Sequence, residues 1–152
     1  MDTPATHKFI IALNKTLEPG VAMNAAAHMA LALMQSSTAE QKEQMQFLNF
    51  IDANGGVHKN ISGLSLIIMR GSNGDLRKFR RAALDNSLLC VDFTETMTKD
   101  SYKEQLERTK ATKEEQMTYF GVAVFAEKAA LDPLTKKLSV WRTINASPPT
   151  EL

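Results

Sequence analysis

"KFIIALNKTLEPGVAMNAAAHMALALM", Lys8 to Met34, is the stretch whose reading decides the fold. Its first seven residues, Lys8 to Asn14, are apolar on both faces, the pattern of a central strand covered on both sides. After a short loop holding Pro19 and Gly20, the chain becomes almost pure alanine, methionine and leucine, and the composition predicts a helix over 21–36. A buried-type strand feeding directly into a helix is the opening of an α/β domain. At 3.6 residues per turn, Asn24, His28, Leu31 and Gln35 fall on one stripe of that helix. Two readings of the stripe stand open. It faces water or a partner subunit, or it forms the edge of a cleft at the helix start, where Gly20 precedes free N–H groups that favour an anion. On the other side, Ala26 and Ala30, with Met23 and Leu33, are expected to pack on the strand.

Four further runs read as strands: "FLNFID" (47–52), "LSLIIMR" (64–70), "SLLCVDF" (87–93) and "TYFGVAVFA" (118–126). Asn54-Gly55 signals a hairpin turn after the first of these, with a short return strand near Val57. Helices alternate with the strands. Ser72 with Asp75, and Ser101 with Glu104, have capping-box spacing and open helices over 73–86 and from 101 to about Thr109. Thr112 with Glu115 has the same spacing, and Asp132-Pro133 reads as an N-cap followed by a first-turn proline. The expected fold is a three-layer α/β/α sandwich with a mixed sheet of about four to five strands, made mixed by the hairpin. "DPLTKKLSVWR" places Leu134, Leu138 and Trp141 at helical-type spacing, a packing element sealing the sheet.

With 152 residues the chain has room for one domain, expected over 1–152 with loose ends at 1–6 and 145–152. Eighteen Lys and Arg balance seventeen Asp and Glu, so no overall field draws it to nucleic acid or membrane. The single cysteine, Cys90, allows no internal disulfide and reads as a small core residue. "MDTPATHK" carries no apolar signal core, and the chain is expected to be cytoplasmic. His7, His28 and His58 are too scattered for a metal signature, and neither a metal nor another cofactor is expected.

The opening strand, loop and helix resemble those of the type-2 peptidyl-tRNA hydrolases. The chain is more similar still to the domain-of-unknown-function family 2000, thought to share that fold. The matching motifs are Asn14 to Gly20, Asn24 to His28, Asp52 to Gly55, Asp92 to Met97, Tyr119 to Phe125 and Leu134 to Arg142. In the hydrolases a catalytic lysine follows the glycine eight residues before the histidine; here Gly20 is followed by Val21. Valine cannot hold a proton, orient a water or stabilise an oxyanion. The hydrolase aspartate corresponds to Asp92, and the assisting threonine to Thr94, Thr96 or Thr118. Lys15, in the same loop, is the candidate to replace the lost lysine.

The resemblance thus implies a catalytic pair of Asp92 and Lys15 beside a ligand pocket of Gly20, Asn24, His28 and Thr94. Independently, Asp92 sits at the end of an apolar strand, where α/β sheets bind ligands, although an aspartate there often only caps a turn. Arg77, Lys78, Arg80 and Arg81 lie on one predicted helix and offer RNA phosphates a contact, or simply form its solvated face. Two function classes follow. One is a non-catalytic or divergent ligand-binding module, expected as a homodimer. The other is a hydrolase of an RNA-linked or other ester or amide substrate, with Asp92 as acid or base.

Overall fold

The computed structural model describes residues 5–142; the expectations for 1–4 and 145–152 fall outside the described residues. β1 (His7–Asn14) leads into α1 (Pro19–Ser36), followed by α2 (Ala39–Gln44) and a hairpin of β2 (Phe47–Ile51) and β3 (Val57–Ser62). β4 (Leu66–Gly71), α3 (Asn73–Asp85), β5 (Leu89–Thr94), α4 (Tyr102–Ala111), β6 (Tyr119–Glu127), α5 (Lys128–Leu131) and β7 (Ser139–Val140) complete the order. Ala5 packs on the core, and Thr6 O accepts from Lys128 N at 2.8 Å.

Five strands form one mixed sheet in the order β5-β6-β1-β4-β7. β1 and β4 are parallel, with Ile11 opposite Ile68. β6 runs antiparallel to both β1 and β5, and β7 antiparallel to β4. The sheet is therefore mixed because of β6 and β7, and not because of the hairpin as the sequence suggested. β2 and β3 pair only with each other, as a separate two-stranded sheet. A run such as "FLNFID" cannot say which neighbour its backbone will find, so the hairpin itself was legible and its separation from the main sheet was not.

The continuous apolar character of β1 has the predicted cause. Ile10 and Ala12 enter one core with Leu76, Phe79 and Ala83 of α3. Phe9, Ile11 and Leu13 enter the other with Ala22, Ala25, Met29 and Leu33 of α1. Helices α1 and α3 thus cover opposite faces of the sheet. The buried stripe of α1 differs from the predicted one. Ala26 and Ala30 are only half-buried, and Met23 is 67% exposed. One row at spacings of three and four residues touches the sheet, and the remaining apolar side chains of α1 look outward.

The capping boxes at Ser72–Asp75 and Ser101–Glu104 are formed as predicted. A third, Thr38–Gln41, opens α2, an element the sequence reading overlooked. Thr112 does not open a helix: its hydroxyl donates to Arg108 O and ends α4, and the 3-10 turn at Glu114–Gln116 has no side-chain cap. Asp132 likewise is the first residue of a 3-10 turn instead of its N-cap. Beyond that turn the chain is strand rather than helix. Leu138 joins the α3-side core and Trp141 packs on the α1-side core. That is the alternation of a strand, whose odd and even positions face opposite sides.

Candidate functional site

Asn14, buried at the end of β1, organises the loop that follows. Its Nδ2 donates to Tyr119 O at 2.9 Å, and its Oδ1 accepts from Thr16 N and Thr16 Oγ1 at 3.0 and 2.7 Å. The side chain therefore ties the loop to the start of β6 and turns Leu17 and Glu18 toward α1. Glu18 is the N-cap of α1 but makes no side-chain cap bond, and Pro19 occupies the first turn. Gly20, expected just before the helix, is its second residue and has open space where a side chain would be.

On the far side, β5 bulges between Phe93 and Thr94 and gives way to a 3-10 turn at Glu95–Met97. The loop beyond is tightly wound: Lys99 and Asp100 both have positive φ, 62° and 61°. Two consecutive non-glycine residues in that region are costly and must be held. Arg108 of α4 does the holding. Its Nη2 donates to Thr98 O and Lys99 O at 2.8 and 3.2 Å, and its Nη1 reaches Asp100 Oδ2 at 2.9 Å. Thr94, buried, shares a 2.7 Å hydrogen bond with Thr96, and Thr109 donates to Thr96 at 2.9 Å, so the hydroxyls knit this loop to α4.

Between these two walls lies a cleft of about 520 Å³. Phe93 and Phe120 line it, with ring centroids 6.0 Å apart and edge to face, beside Val21 and Leu17. His28 stacks on Phe93 at 5.1 Å with an interplanar angle of 8°. Asn24, Glu18, Glu95 and Lys99 supply the polar groups. Asn24, His28 and Leu31 are exposed, as the stripe predicted, and Asn24 lines this cleft directly.

The other predicted site residues do not converge here. Asp92 and Phe93 are adjacent on β5 and point to opposite faces. Asp92 Oδ1 accepts from Arg80 Nε at 2.8 Å on the α3 side. The sheet separates it from Asn24 and His28. Lys15 borders a different pocket, at the end of β4. Thr94 is enclosed in its hydroxyl network.

Around Asp92 the α3 side is an ion-pair cluster. Arg77 and Arg80 lie over the Tyr119 ring at 5.6 and 5.9 Å. Tyr119 Oη donates to Glu114 Oε1 at 2.8 Å, and burial together with that carboxylate pushes the phenol up to about 12. Arg77 also donates to Met117 O at 2.8 Å, and Arg81 lies 3.8 Å from Glu114. Three of the four cations considered for RNA are therefore engaged with the protein's own groups, which leaves Lys78. Cys90 is pushed up to about 12 by burial, then by Asp92, which keeps it a protonated, unreactive thiol. Among the described residues no group of three His, Cys, Asp or Glu side chains is placed to hold a metal ion.

The cleft residues that sequence reasoning missed are Glu18, Phe93, Glu95, Lys99 and Phe120. Glu95 and Lys99 sit in "DFTETMTKD", a polar run after a strand, and that was the available signal. Phe93 and Phe120 read as core, because nothing local marks which aromatic residue of a buried-type strand ends beside an opening.

The chain belongs to a family described as a protein of unknown function, DUF2000, whose profile matches residues 7–142. Among solved structures it is similar to a protein of unknown function from Agrobacterium tumefaciens strain C58, with a TM-score of 0.74 at 17% identity, covering 90% of this chain and 98% of that one. That likeness concerns the fold. No curated protein matches the sequence. No helix among the described residues is long and apolar enough to cross a membrane.

Proposed function

We propose that this member of the DUF2000 family is a ligand-binding module without hydrolase activity, on a scaffold resembling that of the type-2 peptidyl-tRNA hydrolases. The observation that carries the reading is the division of the expected site. The cleft keeps Asn24 and an aromatic floor, with His28 stacked on Phe93 beside it, while Asp92 is bound to Arg80 on the opposite face of the sheet. A general base must come within hydrogen-bond reach of the proton it takes, about 2.6–3.2 Å or one intervening water. Asp92 cannot do so for a ligand in this cleft without breaking its ion pair and leaving its strand. Val21, which stands where the resemblance puts the hydrolases' lysine, forms part of the cleft wall and is 40% exposed. An apolar side chain suits a wall that packs against a ligand.

The ligand class that fits is a small molecule with a planar apolar body and a hydrogen-bonding end. The body would lie on Phe93 and Phe120, and the end would meet Asn24 and Lys99. N-acetyl-tryptophanamide is a suitable probe. Its addition to the 15N-labelled chain should move the amide signals of Val21, Asn24, Lys99 and Phe120, and Val21→Lys should weaken that response without unfolding the protein. A response centred elsewhere, or an unaltered one in Val21→Lys, would reject this cleft. Turnover of peptidyl-tRNA by the wild-type chain that falls on Asp92→Asn would instead establish the hydrolase reading.

A further inference from the structure

We propose that the protein has a second binding site, separate from the cleft, that takes a phosphate-type dianion where the two parallel strands end. β1 and β4 are paired in parallel, so Asn14 and Gly71 close the two strands side by side. The chain beyond β1 stays attached to this edge, because Lys15 N donates to Gly71 O at 2.9 Å. Lys15 and Thr16 then diverge. Thr16 lines the cleft, whereas Lys15 lines a pocket of about 410 Å³ on the other side of the same segment. Carboxyl ends of parallel strands are where α/β sheets collect ligands.

Three cations, Lys15, Arg70 and Lys137, meet one carboxylate, Asp75, in this pocket. Three positive charges less one negative leave two positive charges in a chain whose total is +1. Among the described residues these three cations form no ion pair and no side-chain hydrogen bond, although Lys137 acts at longer range on Asp75. Arg70 is half-buried, so its charge is left uncompensated where water is partly excluded. A concave site lined by one sign of charge concentrates its field on a counter-ion. Ser72 and Ser139 both line the pocket. Ser72 Oγ accepts from Asp75 N, and its hydroxyl lies within reach of the Asp75 carboxylate, which it holds below the ordinary value, so Ser139 is the hydroxyl left to an anion. The start of α3 adds a field of the same sign, but the three cations are what select charge. A phosphate group carries about −1.5 to −2 at neutral pH and answers the surplus, where a carboxylate answers half of it.

Asp75 is the internal control. Its carboxylate accepts from Ser72 N at 3.3 Å and occupies the pocket with the charge an anion would bring. Asp75→Asn keeps an acceptor for Ser72 N and removes the repulsion.

The test titrates the full chain with methyl phosphate, a phosphate monoester, at low ionic strength and about pH 7.5, where the second phosphate proton (pKa about 6) is off, followed by amide signals and calorimetry. Saturable shifts are expected at Lys15, Arg70, Ser72 and Ser139. Arg70→Gln should weaken binding about tenfold or more, the scale of one charge-assisted hydrogen bond, and Asp75→Asn should tighten it. Lys110→Gln, on α4, which contributes nothing to the pocket, should leave it unchanged. Thermal unfolding checks that Arg70→Gln folds; if it does not, Lys137→Gln takes its place. Shifts that never saturate, shifts centred elsewhere, or equal losses in Arg70→Gln and Lys110→Gln would overturn the site. Acetate binding as tightly as methyl phosphate would overturn the dianion class.

Discussion

Ala25 and His28 are three residues apart on α1 and have opposite surroundings. Ala25 is completely buried against the sheet, while His28 is exposed and touches the rest of the protein through its stack on Phe93. Ala25→Leu must push extra atoms into a filled interface and is expected to cost about 1–3 kcal/mol. His28→Ala is expected to cost no more than an aromatic pair contributes, about 0.5–1.5 kcal/mol. Urea unfolding of the two variants measures both; a His28 loss equal to the Ala25 loss would mean that the ring sits in a buried network. The helix period placed His28 correctly on the open stripe but put Ala26 on the sheet where Ala25 stands, because one step around an all-apolar wheel changes no residue type.

At the scale of an element, the hairpin is the informative case. Its loop is Ala53-Asn54-Gly55, with Gly55 alone at positive φ, 81°. This is the three-residue loop closed by a left-handed glycine, and not the two-residue turn that Asn-Gly most often makes. Asp52 explains the choice. Its Oδ1 accepts from Asn54 N and Gly56 N, each at 2.9 Å, and its Oδ2 bonds His58 Nε2 at 3.0 Å. Gly55→Val forces a β-branched residue into a conformation that costs an L-residue about 1–2 kcal/mol. The hairpin has no strand hydrogen bond to the five-stranded sheet, so the damage should be local. Amide exchange is expected to quicken over Phe47–Ser62 while the core amides keep their protection; uniform loss would show that the hairpin and the sheet unfold together.

The same loop sets an acid limit. Gly56 N–H first, then His58 and Asn54 N–H, hold the Asp52 carboxyl below its ordinary 3.8. A depressed carboxyl stabilises the fold above its ordinary value and loses that contribution as pH falls through the folded one. The Asp52 contribution to hairpin stability should therefore be intact above about pH 4 and be lost only below it, as measured by the pH dependence of hairpin amide exchange. The Asp52→Asn variant should lack this acid step.

The whole molecule is two apolar cores divided by one sheet. Ile10 belongs to the α3-side core and Leu33 to the α1-side core. Ile10→Val is expected to cost about 0.5–1.5 kcal/mol and Leu33→Ala about 2–5. Because the sheet stands between the two sites, the double variant should lose their sum to within about 0.5 kcal/mol. A larger deviation in urea denaturation would show that β1 transmits strain from one face to the other.

The sequence by itself determined what depends on near neighbours along the chain. Strand β1 was legible from "KFIIALN", α1 from its alanine-rich run, and α3 and α4 from Ser72–Asp75 and Ser101–Glu104, because caps and periods are written within about four residues. The solvent stripe of Asn24 and His28 was legible for the same reason. Only the tertiary structure decided that Asp92 turns to Arg80, that Lys15 turns away from Thr16, and that Phe93 and Phe120 meet across β5 and β6. Each of these outcomes rests on which face of a strand points to which helix. A strand buried on both sides has the same apolar pattern on either face, so its sequence leaves that direction unspecified until the sheet is assembled.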